Sequence, residues 1–212
     1  TWVSATGSRG SVGGLTWDLV FGASGPVLDP QVAGAIRPFD LRLRSVPDVL
    51  MSGNVGHERH GYTFSHEPGT VGVSFGRRLP DHWYWVSVNA FREPGVAFEC
   101  MLMESRIFGL PFWHATVGYV HLRTPTTSMT LLHPLTGQVR LRGDRTAFTV
   151  TARHRQDLIT VHCAAPETRY HHLGARVYTT LLGTCEIEGI SLAEGTAGLA
   201  EREPQRPSAN IR

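Results

Sequence analysis

The chain contains no lysine, so all 20 of its basic residues are arginine. Without a lysine amine no protein Schiff base can form, which excludes pyridoxal phosphate enzymes and lysine-dependent aldolases. Cysteine is scarce as well: Cys100, Cys163 and Cys185 are odd in number, far apart, and each sits in an apolar or β-patterned run. A disulfide framework is therefore not expected, and buried thiols in a reducing compartment, the cytoplasm, are. No apolar run approaches the roughly 20 residues that a membrane-crossing helix needs. Residues 1–14 lack the basic-then-apolar order of a signal peptide, and a start at Thr1 is the expectation for a processed or truncated form. Also missing are a phosphate-binding Gly-rich loop, a dinucleotide fingerprint, a Gly-x-Ser-x-Gly elbow and a Cys-x-x-Cys pair. Chemistry without a cofactor, or plain binding, is what these absences leave.

What is present is ordinary for a globular protein: 212 residues, 41% apolar and 18% charged, with a net charge of +2. Arginines recur at period two, as in Arg140 and Arg142 or Arg153 and Arg155, the pattern of a solvated sheet face. With so little net charge the pull on phosphates is weak, and nucleic acid is not an expected partner. Twenty-three glycines and 13 prolines cut the chain into short runs rich in Val, Thr, Leu, Phe, Tyr and Trp. No stretch holds a 3.6-residue apolar period, so the fold is predicted to be all-β. Strands are expected over 15–21, 39–44, 71–75, 82–90, 97–104, 115–122, 128–133, 138–142, 147–153, 158–163 and 177–187. Residues 22–35 are expected to be a loop or an edge and 196–212 a disordered tail.

The run 76–91 is the most informative. Leu79-Pro80-Asp81 turns the chain into a strand on which Trp83, Trp85, Ser87 and Asn89 share one face, while Tyr84, Val86 and Val88 share the other. Apolar residues on both faces mean cover on both sides, and aromatics mixed with an amide describe a lined cavity. Arg92-Glu93-Pro94-Gly95 reads as a four-residue hairpin loop. If Phe91 pairs with Val96 across it, Trp85 meets Leu102, Trp83 meets Glu104, and Glu99 lies on the opposite face with Met101 and Met103. A slip of one residue exchanges the two glutamates.

A carboxyl desolvated beside two indoles holds its proton and acts as a general acid, and the indole faces stabilise a developing cation. Glu104 is the candidate acid on this count. The same pattern also fits core tryptophans with Glu104 in an ion pair at a barrel rim. Trp113 and His114 stand at the entrance of the next strand, which carries Tyr119; His114 is a candidate base or hydrogen-bonding group, or a loop cap. The run His57-Glu58-Arg59-His60 is one residue short of a zincin motif, and on a strand its two histidines point to opposite sides, so no metal is expected.

Residues 74–91 resemble the signature of the tocopherol cyclase-like proteins, Trp-Gly-x-x-Phe-Pro-x-x-Trp-x-Trp-x-Gln-x-Asn-x-Phe. Phe75 stands for the first Trp, Leu79 for the Phe and Ser87 for the Gln. Weaker likenesses run through 117–123, 133–137 and 194–203. The resemblance implies a lipocalin-like antiparallel fold, one barrel or two packed barrels with the first reduced, related to carotenoid hydratases and fungal pericyclase barrels. On that reading 1–91 form the first barrel and 92–195 the second. It also implies a hydrophobic small-molecule substrate: cyclases of this family protonate a prenyl double bond so that a phenol or quinol oxygen closes a ring. The expected enzyme is thus a cofactor-independent cyclase or isomerase. Glu104 or Asp81 would donate the proton, Trp83, Trp85 and Trp113 would shield the cation, and Ser87, Asn89, His114 and Tyr119 would contact substrate. A non-catalytic lipid or pigment carrier on the same barrel is the alternative.

Overall fold

A computed structural model describes residues 1–22, 41–76, 80–89, 91–106, 114–144, 146–155, 157–173, 177–180, 184–191 and 208–211. Among them there is no α-helix, only one turn of 3-10 helix at Glu167–Arg169, and every strand pairing is antiparallel. The chain divides into two compact units, residues 1–28 with 45–72 and residues 29–44 with 73–212.

The first unit holds β1 (Trp2–Val3), β2 (Gly7–Val12), β3 (Leu15–Gly22) and all but the outer ends of β4 (Leu41–His57) and β5 (His60–Gly76), a five-stranded meander in that order. Val49 is its one buried hydrophobic residue among those described, while Trp2, Val3, Val12, Val20 and Tyr62 are exposed. Cross-strand polar contacts hold the register, with Arg9 bonded to Asp18 at 2.6 Å and the Trp17 indole N–H donating to Ser8 Oγ at 2.9 Å. Residues 50–70 lie on long strands that the alternation rule does not find, because Gly, Ser and His occupy both faces of a largely exposed ribbon. The zincin-like run falls at the tip of the β4–β5 hairpin, where Glu58 has φ 53°.

The second unit holds two sheets. In one, β6 (His82–Val88), β7 (Ala97–Arg106), β8 (His114–Arg123) and β9 (Ser128–His133) run side by side. β16 (Ser208–Ile211), β14 (Val177–Thr180) and β13 (His171–Leu173) extend the β6 edge. The other has the order β10 (Gln138–Gly143), β11 (Ala147–His154), β12 (Asp157–Ala164) and β15 (Thr184–Ser191). The expected strand 177–187 is thus two strands in different sheets, and the part of the expected tail that is described, Ser208–Ile211, is a strand.

Strict alternation in the second sheet turns Val139, Phe148, Val150, Ala152, Ile159, Val161, Cys163, Cys185 and Ile187 inward. Arg140, Arg142 and Arg153 are exposed, as their spacing predicts. The inward residues share one hydrophobic cluster with Val86, Val88, Phe98, Cys100, Leu102, Val120, Leu122 and Leu131 from β6–β9. Each fully buried side chain of this size contributes about 1.5–3 kcal/mol, so this cluster anchors β6–β9 and leaves their other face to be specified separately.

Candidate functional site

The register of β6 and β7 decides what that other face contains. Its last pair is Val88 with Phe98, and the ladder continues Ser87–Glu99, Trp85–Met101, Trp83–Met103 and His82–Glu104. An odd number of residues lies between Val88 and Phe98, so the hairpin does not close as an even, four-residue loop with Phe91 opposite Val96. The connection is longer: Pro94 has no N–H to offer a ladder, Gly95 takes φ 81°, and the Val96 N–H returns to Glu93 O at 3.4 Å. This one-residue difference corrects the expected register, because it moves Glu104 to the face of His82 and brings Glu99 onto the tryptophan face.

Four strands then place one polar row straight across the sheet: Ser87 on β6, Glu99 on β7, His121 on β8 and Thr130 on β9, each the register partner of the next. Glu99 and His121 are 0% exposed and Ser87 is 5%. The row beside it is Trp85, Met101, Tyr119 and Leu132, and beyond that stand Trp83, Met103 and Val117. Side-chain bonds knit the rows together. Ser87 Oγ donates to Glu99 Oε2 at 3.3 Å, and the Tyr119 hydroxyl donates to Glu99 Oε1. A carboxyl group taken out of water needs such donors, and here two hydroxyls supply them.

His121 is held on one side only. Its Nδ1 lies 2.9 Å from Thr130 Oγ1, while its Nε2 is buried with no hydrogen-bond partner. Burial, helped by the positive charge of Arg123, lowers its pKa to about 4, so the ring is neutral at pH 7. If Nδ1–H donates to Thr130, Nε2 presents a lone pair; in the other tautomer it presents an N–H. The indole N–H of Trp83 is likewise buried with no partner. Each of these two atoms keeps a hydrogen-bonding capacity that protein atoms do not fill and that a ligand group reaching it can use.

The other expected site residues fall elsewhere or are only partly placed. Glu104 is half-exposed, with its Oε1 3.3 Å from Nδ1 of a half-exposed His114, so these two pair at the solvent end of the β7–β8 ladder. Asp81 is half-buried just before β6, and Asn89 is half-buried one residue past its end. Trp113 lies outside the described residues. Sequence reasoning did not select Glu99 or His121, although each is a lone ionisable residue inside an apolar run, Ala-Phe-Glu-Cys-Met and Tyr-Val-His-Leu. In a strand covered on both faces, that interruption is the available signal. No group of three or more His, Cys, Asp and Glu residues among those described is arranged to hold a metal ion.

The fold is that of lipocalin-like antiparallel β-barrel proteins. A crystal structure of kievitone hydratase from Nectria haematococca superimposes on 97% of this chain with a TM-score of 0.57 and 10% sequence identity. The chain spans 63% of the length of that enzyme. No protein-family profile matches the sequence, and no curated protein matches it. Among the described residues no helix is long and apolar enough to cross a membrane.

Proposed function

We propose that this chain adds an oxygen nucleophile across a carbon–carbon double bond of a hydrophobic isoprenoid or polyketide-like substrate, as a cyclase or hydratase working without a cofactor, with Glu99 as proton donor. The observation that carries the reading is the buried carboxyl of Glu99, hydrogen-bonded by Tyr119 and Ser87, in the same row as the open Nε2 of His121. The fold shared with a hydratase and the resemblance of residues 74–91 to tocopherol cyclase-like proteins point to the same class of addition.

In this scheme the carboxyl proton passes to one alkene carbon and leaves a cation on the other. The faces of Trp83 and Trp85 stabilise that charge. A substrate hydroxyl bonds to the cation to close a ring, or water bonds to it to give an alcohol. The resulting oxonium is strongly acidic, so even a histidine with a pKa near 4 accepts its proton. That weakly held proton then returns to the carboxylate of Glu99, the register neighbour of His121. In this reading the Trp83 indole N–H, unmatched in the protein, donates to the substrate oxygen.

Mass spectrometry of small molecules that copurify with the protein, followed by turnover assays on prenylated phenols of the class found, tests the proposal. Expected is a ring-closed or hydrated product from the wild type, formed about 10³-fold more slowly by Glu99→Gln, which still binds. A wild type that binds such molecules and never changes them is a carrier, and the proposal fails.

A further inference from the structure

Cys163 and Cys185 are register partners on adjacent antiparallel strands, β12 and β15, with their Sγ atoms 3.0 Å apart. A disulfide requires about 2.05 Å between sulfurs and Cα atoms about 4.4–6.8 Å apart, and directly opposed residues of an antiparallel pair meet the second condition at either type of site. We propose that this pair is an oxidative cross-linking site that staples β15 to β12.

Two further features favour the step. Among the described residues β15 is an edge strand of its sheet, and one described register pair, Ala164 with Thr184, lies beyond the cysteines. Edge strands and ladder ends open most readily, so thiols that are 5% and 2% exposed in the closed sheet become reachable without global unfolding. The staple closes the loop from 163 to 185, which contains β13 and β14 and links the two sheets of the second unit. Cys100 lies on β7, in the other sheet, where burial raises its pKa, so it is the unreactive internal control.

The oxidant is a low-molecular-weight disulfide. One protein thiolate attacks it, forming a mixed disulfide and expelling one small thiolate. The second protein thiolate then displaces the other. Two protein thiols thereby lose two electrons and two protons, and one small disulfide becomes two small thiols.

The test incubates the folded, reduced protein with oxidised glutathione, counts thiols after denaturation, and maps peptides without reduction. Expected are a fall from three thiols to one, a peptide joining Cys163 to Cys185, and the same loss of two thiols in Cys100→Ser but not in Cys185→Ser. Reducing the cross-linked protein should lower its melting midpoint by roughly 6–12 °C, from the loop-closure contribution and the slope for a chain of this size. Three thiols remaining, glutathione retained as a stable adduct on either cysteine, or a cross-link that includes Cys100 would overturn the proposal. So would a midpoint unmoved by reduction.

Discussion

The two faces of β6–β9 come from the same residues in alternation, yet they are built for different ends. One face carries Val86, Val88, Phe98, Cys100, Leu102, Val120, Leu122 and Leu131 and is sealed against the second sheet. Across the backbone stand Ser87, Glu99, Tyr119 and His121, equally buried, with an imidazole nitrogen and an indole N–H left unmatched. Burial alone does not separate core from site. What separates them is whether the buried atoms are satisfied, since an apolar face completes itself while unmatched polar atoms keep a cost that a ligand can relieve.

Breaking each face in turn should give opposite signatures. The largest effect belongs to Glu99→Gln, which should lower kcat by about 10³-fold through loss of the general acid while ligand affinity changes little. A loss confined to KM would instead make Glu99 a binding group. Phe98→Ala, on the sealed face, should cost about 3–5 kcal/mol in urea unfolding and leave the pH profile of the remaining activity in place. A change below about 1 kcal/mol would mean that the cluster does not depend on that ring.

Acid should act on the polar face. His121 binds its proton near pH 4 when folded and near pH 6.5 when unfolded, so the unfolded chain protonates first as pH falls. Stability is therefore full above about pH 6.5 and is lost between there and pH 4, by roughly 3 kcal/mol. His133, its pKa also lowered by burial, adds in the same direction. Urea midpoints across this range for wild type and His121→Asn isolate the share of His121, and parallel curves would remove it. The smallest effect should come from Glu104→Gln, because a half-exposed pair with His114 contributes within about 1 kcal/mol. A loss of turnover matching that of Glu99→Gln would erase the contrast between the two glutamates.

The strands of the second unit were largely legible in the sequence, since β6–β12 carry period-two patterns flanked by Gly and Pro. Those of the first unit were less so: β4 and β5 keep polar residues on both faces, where alternation has nothing to report. Position 99 was visible only as one of two glutamates whose roles hang on a one-residue register choice. His121, read as part of a strand, drew no attention, because its burial depends on partners four strands wide.

By itself the sequence determined the class of fold, through periodicity and punctuation, and it placed Trp83, Trp85 and Ser87 on one face of one strand. Which glutamate joins them was decided by tertiary structure alone. The connection between Val88 and Phe98 holds an odd number of residues, and because side chains alternate with period two, that parity carries Glu99 to the tryptophans and Glu104 to the solvent end of the opposite face.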